Sequence, residues 1–120
     1  MEYTWIIDSG ASWHMAGHKE IFKDITLDQH HATIEIADGT HLQAEGIGTV
    51  ELVLDDKIHT KLTLTNVLYV PGITANLLSV SSTTGQNASV SFQNNKCTIK
   101  KGNHTLQIST MTGSHYCLRV

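Results

Sequence analysis

The chain has 120 residues, 40% hydrophobic and 16% charged, with a formal net charge of −3. That length makes one domain, residues 1–120, with a modest core. Arg119 is the only arginine and no basic run is visible, so the charge balance speaks against direct nucleic-acid binding.

The predicted elements are nearly all strands, rich in Val, Ile, Thr and Leu and divided by turn residues. Thr4 to Ile7 is a short apolar strand, broken at Asp8. Thr33-Ile34-Glu35-Ile36 alternates, Asp38-Gly39 offers a hairpin turn, and His41 to Glu45 returns. Gly46-Ile47-Gly48 reads as a flexible break before a strand from Thr49 to Leu54. Asp55-Asp56 makes a turn, and Ile58 to Leu64 alternates again. Val67-Leu68-Tyr69-Val70 is a continuous apolar run, the pattern of a strand buried on both faces, ended by Pro71-Gly72. Asn76-Leu77-Leu78-Ser79-Val80 reads as the start of a helix of two to three turns, with Gly85 as its stop. Strands at Ser89 to Phe92, Cys97 to Lys101 and Thr105 to Ser109 follow, with turns at Asn94-Asn95 and Gly102-Asn103. His115 to Val120 is a final strand or a loose end. Short strands at this spacing predict an all-β barrel or sandwich.

Glu2 and Asp8 interrupt the opening residues too early for a signal peptide, and no apolar run reaches membrane-spanning length. No membrane partner is therefore expected. Cys97 and Cys117 are too few for a disulfide framework and lie outside C-x-x-C spacing, which fits a reducing compartment. Asn87-Ala88-Ser89 and Asn103-His104-Thr105 match the glycosylation pattern without a secretion signal to expose them to it. Of the eight histidines, His14 and His18 have H-x₃-H spacing and His30-His31 are adjacent. Gly17 argues against a helix presenting the first pair, and no Cys or Glu completes a zinc spacing, so no metal is expected. Most of the histidines read as surface or cleft residues, and their number would make a dimer pH-sensitive between about pH 5 and 8.

Asp8-Ser9-Gly10-Ala11-Ser12, directly after Trp5-Ile6-Ile7, is the string that carries chemistry. By itself Asp-Ser-Gly is also good turn chemistry. Its context is more specific. Trp5 to Ser12 with His14-Met15, then Ala37-Asp38-Gly39, Gly46 to Val50, Asn66 to Gly72, and Asn76 to Val80 form five ordered blocks. Together they resemble the retroviral-type (retropepsin-like) aspartic proteases, and most closely the protease segment of copia-type retrotransposon polyproteins. The resemblance covers nearly the whole chain.

That resemblance implies a retropepsin-like closed barrel with a flap hairpin and one short helix, acting as a homodimer. Asp8 of each chain supplies one of two catalytic carboxylates. Two carboxylates about 3 Å apart cannot both ionise, so they share a proton. The ionised partner takes a proton from water, and the protonated one donates to the scissile carbonyl. Ser9 belongs, by resemblance, to the crossed hydrogen bonds between the two active-site loops. Gly10 lets backbone approach the carboxylates and can donate its N–H to Asp8. Ala11 leaves room for the substrate. The hairpin at Ala37, Asp38, Gly39 and Thr40 is the implied flap that closes over an extended peptide. The implied substrate is the element's own polyprotein, the implied setting is cytoplasmic, within virus-like particles, and no cofactor is needed.

Two departures stand out. Retroviral enzymes usually pair an Arg just before the Asn of the Asn-Leu-Leu block with an Asp four residues after the catalytic one. Here those positions are Ala75 and Ser12, so both charges are absent together. Only seven residues precede Asp8, and about 35 follow the predicted helix. The expectation is that Ser89 to Val120 replaces the missing N-terminal strands and helps build the dimer, so that deleting residues 103–120 abolishes dimerisation. The alternative reading is a catalytically silent dimerisation or peptide-binding module on the same fold.

Overall fold

The computed structural model describes residues 4–27, 32–36, 39–54, 58–85, 87–108, 111–112 and 115–120. Its organising strand is β1 (Thr4–Asp8), which buries Trp5 and Ile7 on one face by strict alternation. Among the described residues, the buried Trp5 indole N–H has no hydrogen-bond partner. β1 has neighbours on both edges. One is a C-terminal strand at His115–Arg119, antiparallel in a register that runs from Thr4↔Arg119 to Ile7↔Tyr116. The other is a strand at Asn76–Ser79, parallel from Trp5↔Asn76 to Asp8↔Ser79.

In chain order the remaining elements are β2 (Met15–Ala16), a 3₁₀ turn (Lys19–Ile21), β3 (Phe22–Leu27), β4 (Thr33–Glu35), β5 (His41–Gln43), β6 (Gly46–Val53) and β7 (Lys61–Tyr69). Then come β8 (Asn76–Ser79), α1 (Val80–Thr84), β9 (Ala88–Gln93), β10 (Lys96–Lys101), β11 (His104–Ile108), β12 (Met111–Thr112) and β13 (His115–Arg119). Eight strands form one sheet in the order β12-β13-β1-β8-β2-β7-β6-β3. β9, β10 and β11 make a second sheet, and β4 with β5 makes a separate hairpin.

The all-β expectation holds, with one short helix. The expected closed barrel is not found: among the described residues β12 and β3 end the large sheet without pairing to each other. The core is instead covered by packing. Cys97, Ile99 and Ile108 of the second sheet join Trp5, Leu78, Val67 and Leu118 in one apolar cluster. A smaller cluster of Met15, Ala44, Leu68 and Val70 lies under the β4–β5 hairpin, which contributes Ile34 and Leu42.

Three local expectations change. Gly46 to Gly48 is not a flexible break but the first part of β6. The glycine at 48 is required by a close approach: a Cβ there would lie 2.0 Å from the Asp24 carbonyl oxygen of β3. Asn76 to Ser79 is a strand and not a helix start. Pairing with β1 and full burial of Leu78 outweigh the helical propensity of the Leu pair. The helix that follows has five residues instead of two to three turns, and Ser79 caps it, its Oγ accepting the Ser82 N–H at 3.1 Å. The hairpin at Thr33 to Gln43 and the three strands from Ala88 to Ile108 form as the alternation predicts. β3 has a weak signal, because only Phe22 and Ile25 are even partly covered. The expected turn at Asp55-Asp56 lies outside the described residues.

Candidate active site

β1 ends at Asp8, and the chain turns sharply through Ser9 and Gly10. The Gly10 N–H donates to Asp8 Oδ1 at 2.8 Å. A Cβ at position 10 would sit 3.3 Å from that same oxygen, so glycine suits the turn beside the carboxylate. Asp8 is half-buried, Ser9 and Gly10 are exposed, and Ala11 is buried.

The loop is held from beneath by hydroxyls. Ser79 Oγ donates to the Ala11 carbonyl at 2.7 Å, and Ser81 Oγ reaches the same oxygen at 3.3 Å. Ser82 Oγ donates to the Ser12 carbonyl at 3.0 Å. The β8–α1 junction thus tethers two consecutive carbonyls of the loop after Asp8. Neutral hydroxyls hold the loop there without the cost of burying charge.

His14 anchors the same junction. It is 2% exposed, contrary to the reading of the histidines as surface or cleft residues. Its Nδ1 accepts the Ser79 N–H at 2.9 Å, which requires a ring unprotonated at that nitrogen. Burial lowers its pKa from 6.5 to about 4. A lowered histidine pKa means that the unfolded chain binds the extra proton first. The stabilising contribution is therefore complete above about pH 6.5 and is lost as pH falls towards 4. The loss should reach about 3 kcal/mol at about 1.4 kcal/mol per unit. Urea midpoints between pH 4 and 7.5 should fall steeply in the wild type. They should fall less in His14→Asn, whose amide oxygen can accept the Ser79 N–H without titrating. Equal slopes would remove His14 from this role.

Asp8 opens onto a cleft of about 940 Å³. Its lining includes Ala11, Ser12 and Trp13 of the loop after Asp8, and β4 with its flanking residues, Ala32 to Ile36. The floor is apolar, built from Met15, Leu68, Ile73 and Leu77. Trp13 is 45% exposed at this edge, a large apolar surface left facing the cleft. His115, at the start of β13, completes the lining. Among the described residues, the titratable groups lining the cleft are Asp8, Glu35 and His115.

The hairpin expected at Ala37 to Thr40 is present, and its tip is partly described. Ala37 and Asp38 lie outside the described residues. Gly39 is exposed with φ +85°, and its N–H donates to the Ile36 carbonyl at 2.9 Å. Thr40 is exposed, and its carbonyl accepts the Ile36 N–H at 2.9 Å. Thr33, Ile34 and Glu35 of β4 line the cleft together with Asp8, and Gly39 and Thr40 are not among its described lining residues.

Sequence reasoning missed the Ser79–Ser82 anchors, His14, Trp13 and His115. The run Ser79-Val80-Ser81-Ser82-Thr83-Thr84 was a usable signal, since so many hydroxyls in a helix's first turn favour capping over helix interior. The others depend on long-range contacts. His14 and His18 do not converge on a metal: the first is buried and the second is exposed beside Glu20. Among the described residues no group of His, Cys, Asp and Glu could hold a metal ion, and no helix is long and apolar enough to cross a membrane. Cys97 and Cys117 are buried free thiols, and burial raises the Cys97 pKa to about 11.

Comparison with curated proteins and with solved structures gave no match. A family model does match: the Pol polyprotein, beta-barrel domain, over residues 5–88. That span runs from Trp5 through the Asp8 loop, the hairpin and β8 to the start of β9. The chain belongs to the Pol polyprotein beta-barrel domain family, which makes it a domain of retrotransposon or retroviral Pol descent.

Proposed function

We propose that this domain is a copia-type aspartic endopeptidase that cuts its own polyprotein, with an active site shared between two chains. The observation that carries the reading is the setting of Asp8. Its carboxylate ends a buried strand, accepts the N–H of Gly10, and lines a peptide-sized cleft together with β4 of the hairpin. An extended peptide laid along β4 would find backbone partners on the hairpin and apolar contacts on the floor. Asp8 of a second chain would complete the pair, one carboxylate taking a proton from water and the other donating to the scissile carbonyl. On this reading the Ala37–Thr40 hairpin tip closes as a flap, Ser9 bonds across the dyad, and two copies of the domain assemble as a homodimer. The reaction needs no cofactor, and the setting is the cytoplasm, within virus-like particles.

One chain holds only one Asp8, so activity must depend on association. In a peptide-cleavage assay at concentrations below the dimer's Kd, the rate should rise with the square of protein concentration. Sedimentation over the same range should show the dimer appearing in step. A rate linear in concentration from a strict monomer would overturn the shared dyad. A dimer that binds substrate peptide without cutting it, and that is insensitive to a statine-type transition-state mimic, would favour the silent peptide-binding module.

A further inference from the structure

The net charge of −3 conceals a segregation along the chain. All 11 acidic residues fall between Glu2 and Asp56. Residues 57–120 contain no Asp or Glu, yet hold Lys57, Lys61, Lys96, Lys100, Lys101 and Arg119. Three of these lysines lie on β10, the central strand of the three-stranded sheet.

The register sorts that sheet into two faces. Val90, Cys97, Ile99, Leu106 and Ile108 turn inward to the core. The alternate positions turn outward and lie opposite one another: Gln93 with Lys96, Ser91 with Thr98 and Gln107, and Ser89 with Lys100 and Thr105. All of these are exposed except Thr98, which is half-buried. The face therefore carries only hydroxyl, amide and ammonium groups. Every one can donate a hydrogen bond, and none bears negative charge. Lys101, by the same alternation, falls on the opposite side of the strand, where it lines a small cavity with Ile99 and Leu78. Among the described residues, Lys96, Lys100 and Lys101 make no ion pair.

We propose that this outward face of β9, β10 and β11 binds the phosphate backbone of nucleic acid. Lys, Ser, Thr and Gln are the side chains that hold phosphate oxygens without reading sequence. The face has no aromatic residue to stack bases, so binding is indifferent to sequence. A protein partner fits the face less well. Protein interfaces are enriched in aromatic residues and depleted in Lys and Ser at their centres, and this surface has the opposite composition. The surface lies on the far side of its sheet from the core, and the proposal does not depend on catalysis at Asp8. It departs from the expectation drawn from whole-chain charge, because a total cannot reveal where the charges lie.

The test is fluorescence anisotropy with a labelled single-stranded RNA and a DNA of the same sequence, from 50 to 200 mM salt. The two lysines of the face, on single-stranded nucleic acid, give a slope of about −1.4 in log affinity against log salt, so binding should weaken about 7-fold over that range. A variant with Lys96→Gln and Lys100→Gln should lose most of the affinity and nearly all of the slope. The control pair Lys19→Gln and Lys23→Gln should retain both. Absence of binding at 50 mM salt would overturn the proposal, as would equal affinity in the β10 variant. Polyglutamate binding as tightly as RNA, or self-association lost in the β10 variant, would instead assign the face to a protein partner.

Discussion

If the domain is the proposed endopeptidase, replacing Asp8 with Asn should abolish peptide cleavage and leave the fold in place. Asn keeps the shape of the side chain and an oxygen to accept the Gly10 N–H that Asp8 Oδ1 now takes at 2.8 Å. Asn cannot share a proton or activate water, so the pair loses its general acid–base function. That function is worth about 10²- to 10⁴-fold in rate, and a homodimeric variant loses both copies at once. Cleavage of a polyprotein-derived peptide, followed with thermal melting of the same protein, checks this. Cleavage that persists in a folded Asp8→Asn protein removes Asp8 from the chemistry. If no wild-type preparation cleaves while Asp8→Asn and wild type bind peptide equally, the domain is a binding module.

The second large effect concerns the C-terminal segment. Deleting residues 103–120 should unfold the domain and not merely separate a dimer. β13 hydrogen-bonds along β1 from Thr4↔Arg119 to Ile7↔Tyr116, within one chain. The deletion removes that pairing, removes β11, and takes Ile108, Cys117 and Leu118 out of the core. Fully burying one large apolar side chain is worth about 1.5–3 kcal/mol, against a total stability of about 5–15 kcal/mol for a domain. Losing several such side chains together with a central strand's neighbour exceeds what remains. The milder change Leu118→Ala should keep the fold and cost about 2–5 kcal/mol. Urea denaturation followed by circular dichroism separates the cases. A truncated chain that unfolds cooperatively near the wild-type midpoint would show that β13 is dispensable to the fold. The expected loss of dimerisation on this deletion is thus reinterpreted: a chain without β13 has no stable β1 to present Asp8.

Local pattern alone determined much of this protein. Trp5-Ile6-Ile7 before Asp8-Ser9-Gly10 marked a buried strand running into a turn, and the structure has both. Alternation at Thr33 to Gln43 marked the hairpin, and the Asn and Gly turns after residue 88 marked β9 to β11, because period-two patterning and turn chemistry are properties of neighbouring residues. Tertiary pairing decided the rest. Asn76 to Ser79 has local helical signals, yet pairing with β1 and burial of Leu78 make it a strand. Gly46 to Gly48 looks flexible in isolation and is rigidly paired, because β3 crowds against Gly48. His14 is polar by type and buried by place, since one backbone N–H at Ser79 satisfies its ring. His115 and Trp13 reach the cleft only through contacts across the fold. Composition could count the lysines of β10, but only the sheet's register puts Lys96 and Lys100 on one face with no acid among them. Strand pairing joins residues far apart in sequence, and the energy that selects among such pairings is not written in any single segment.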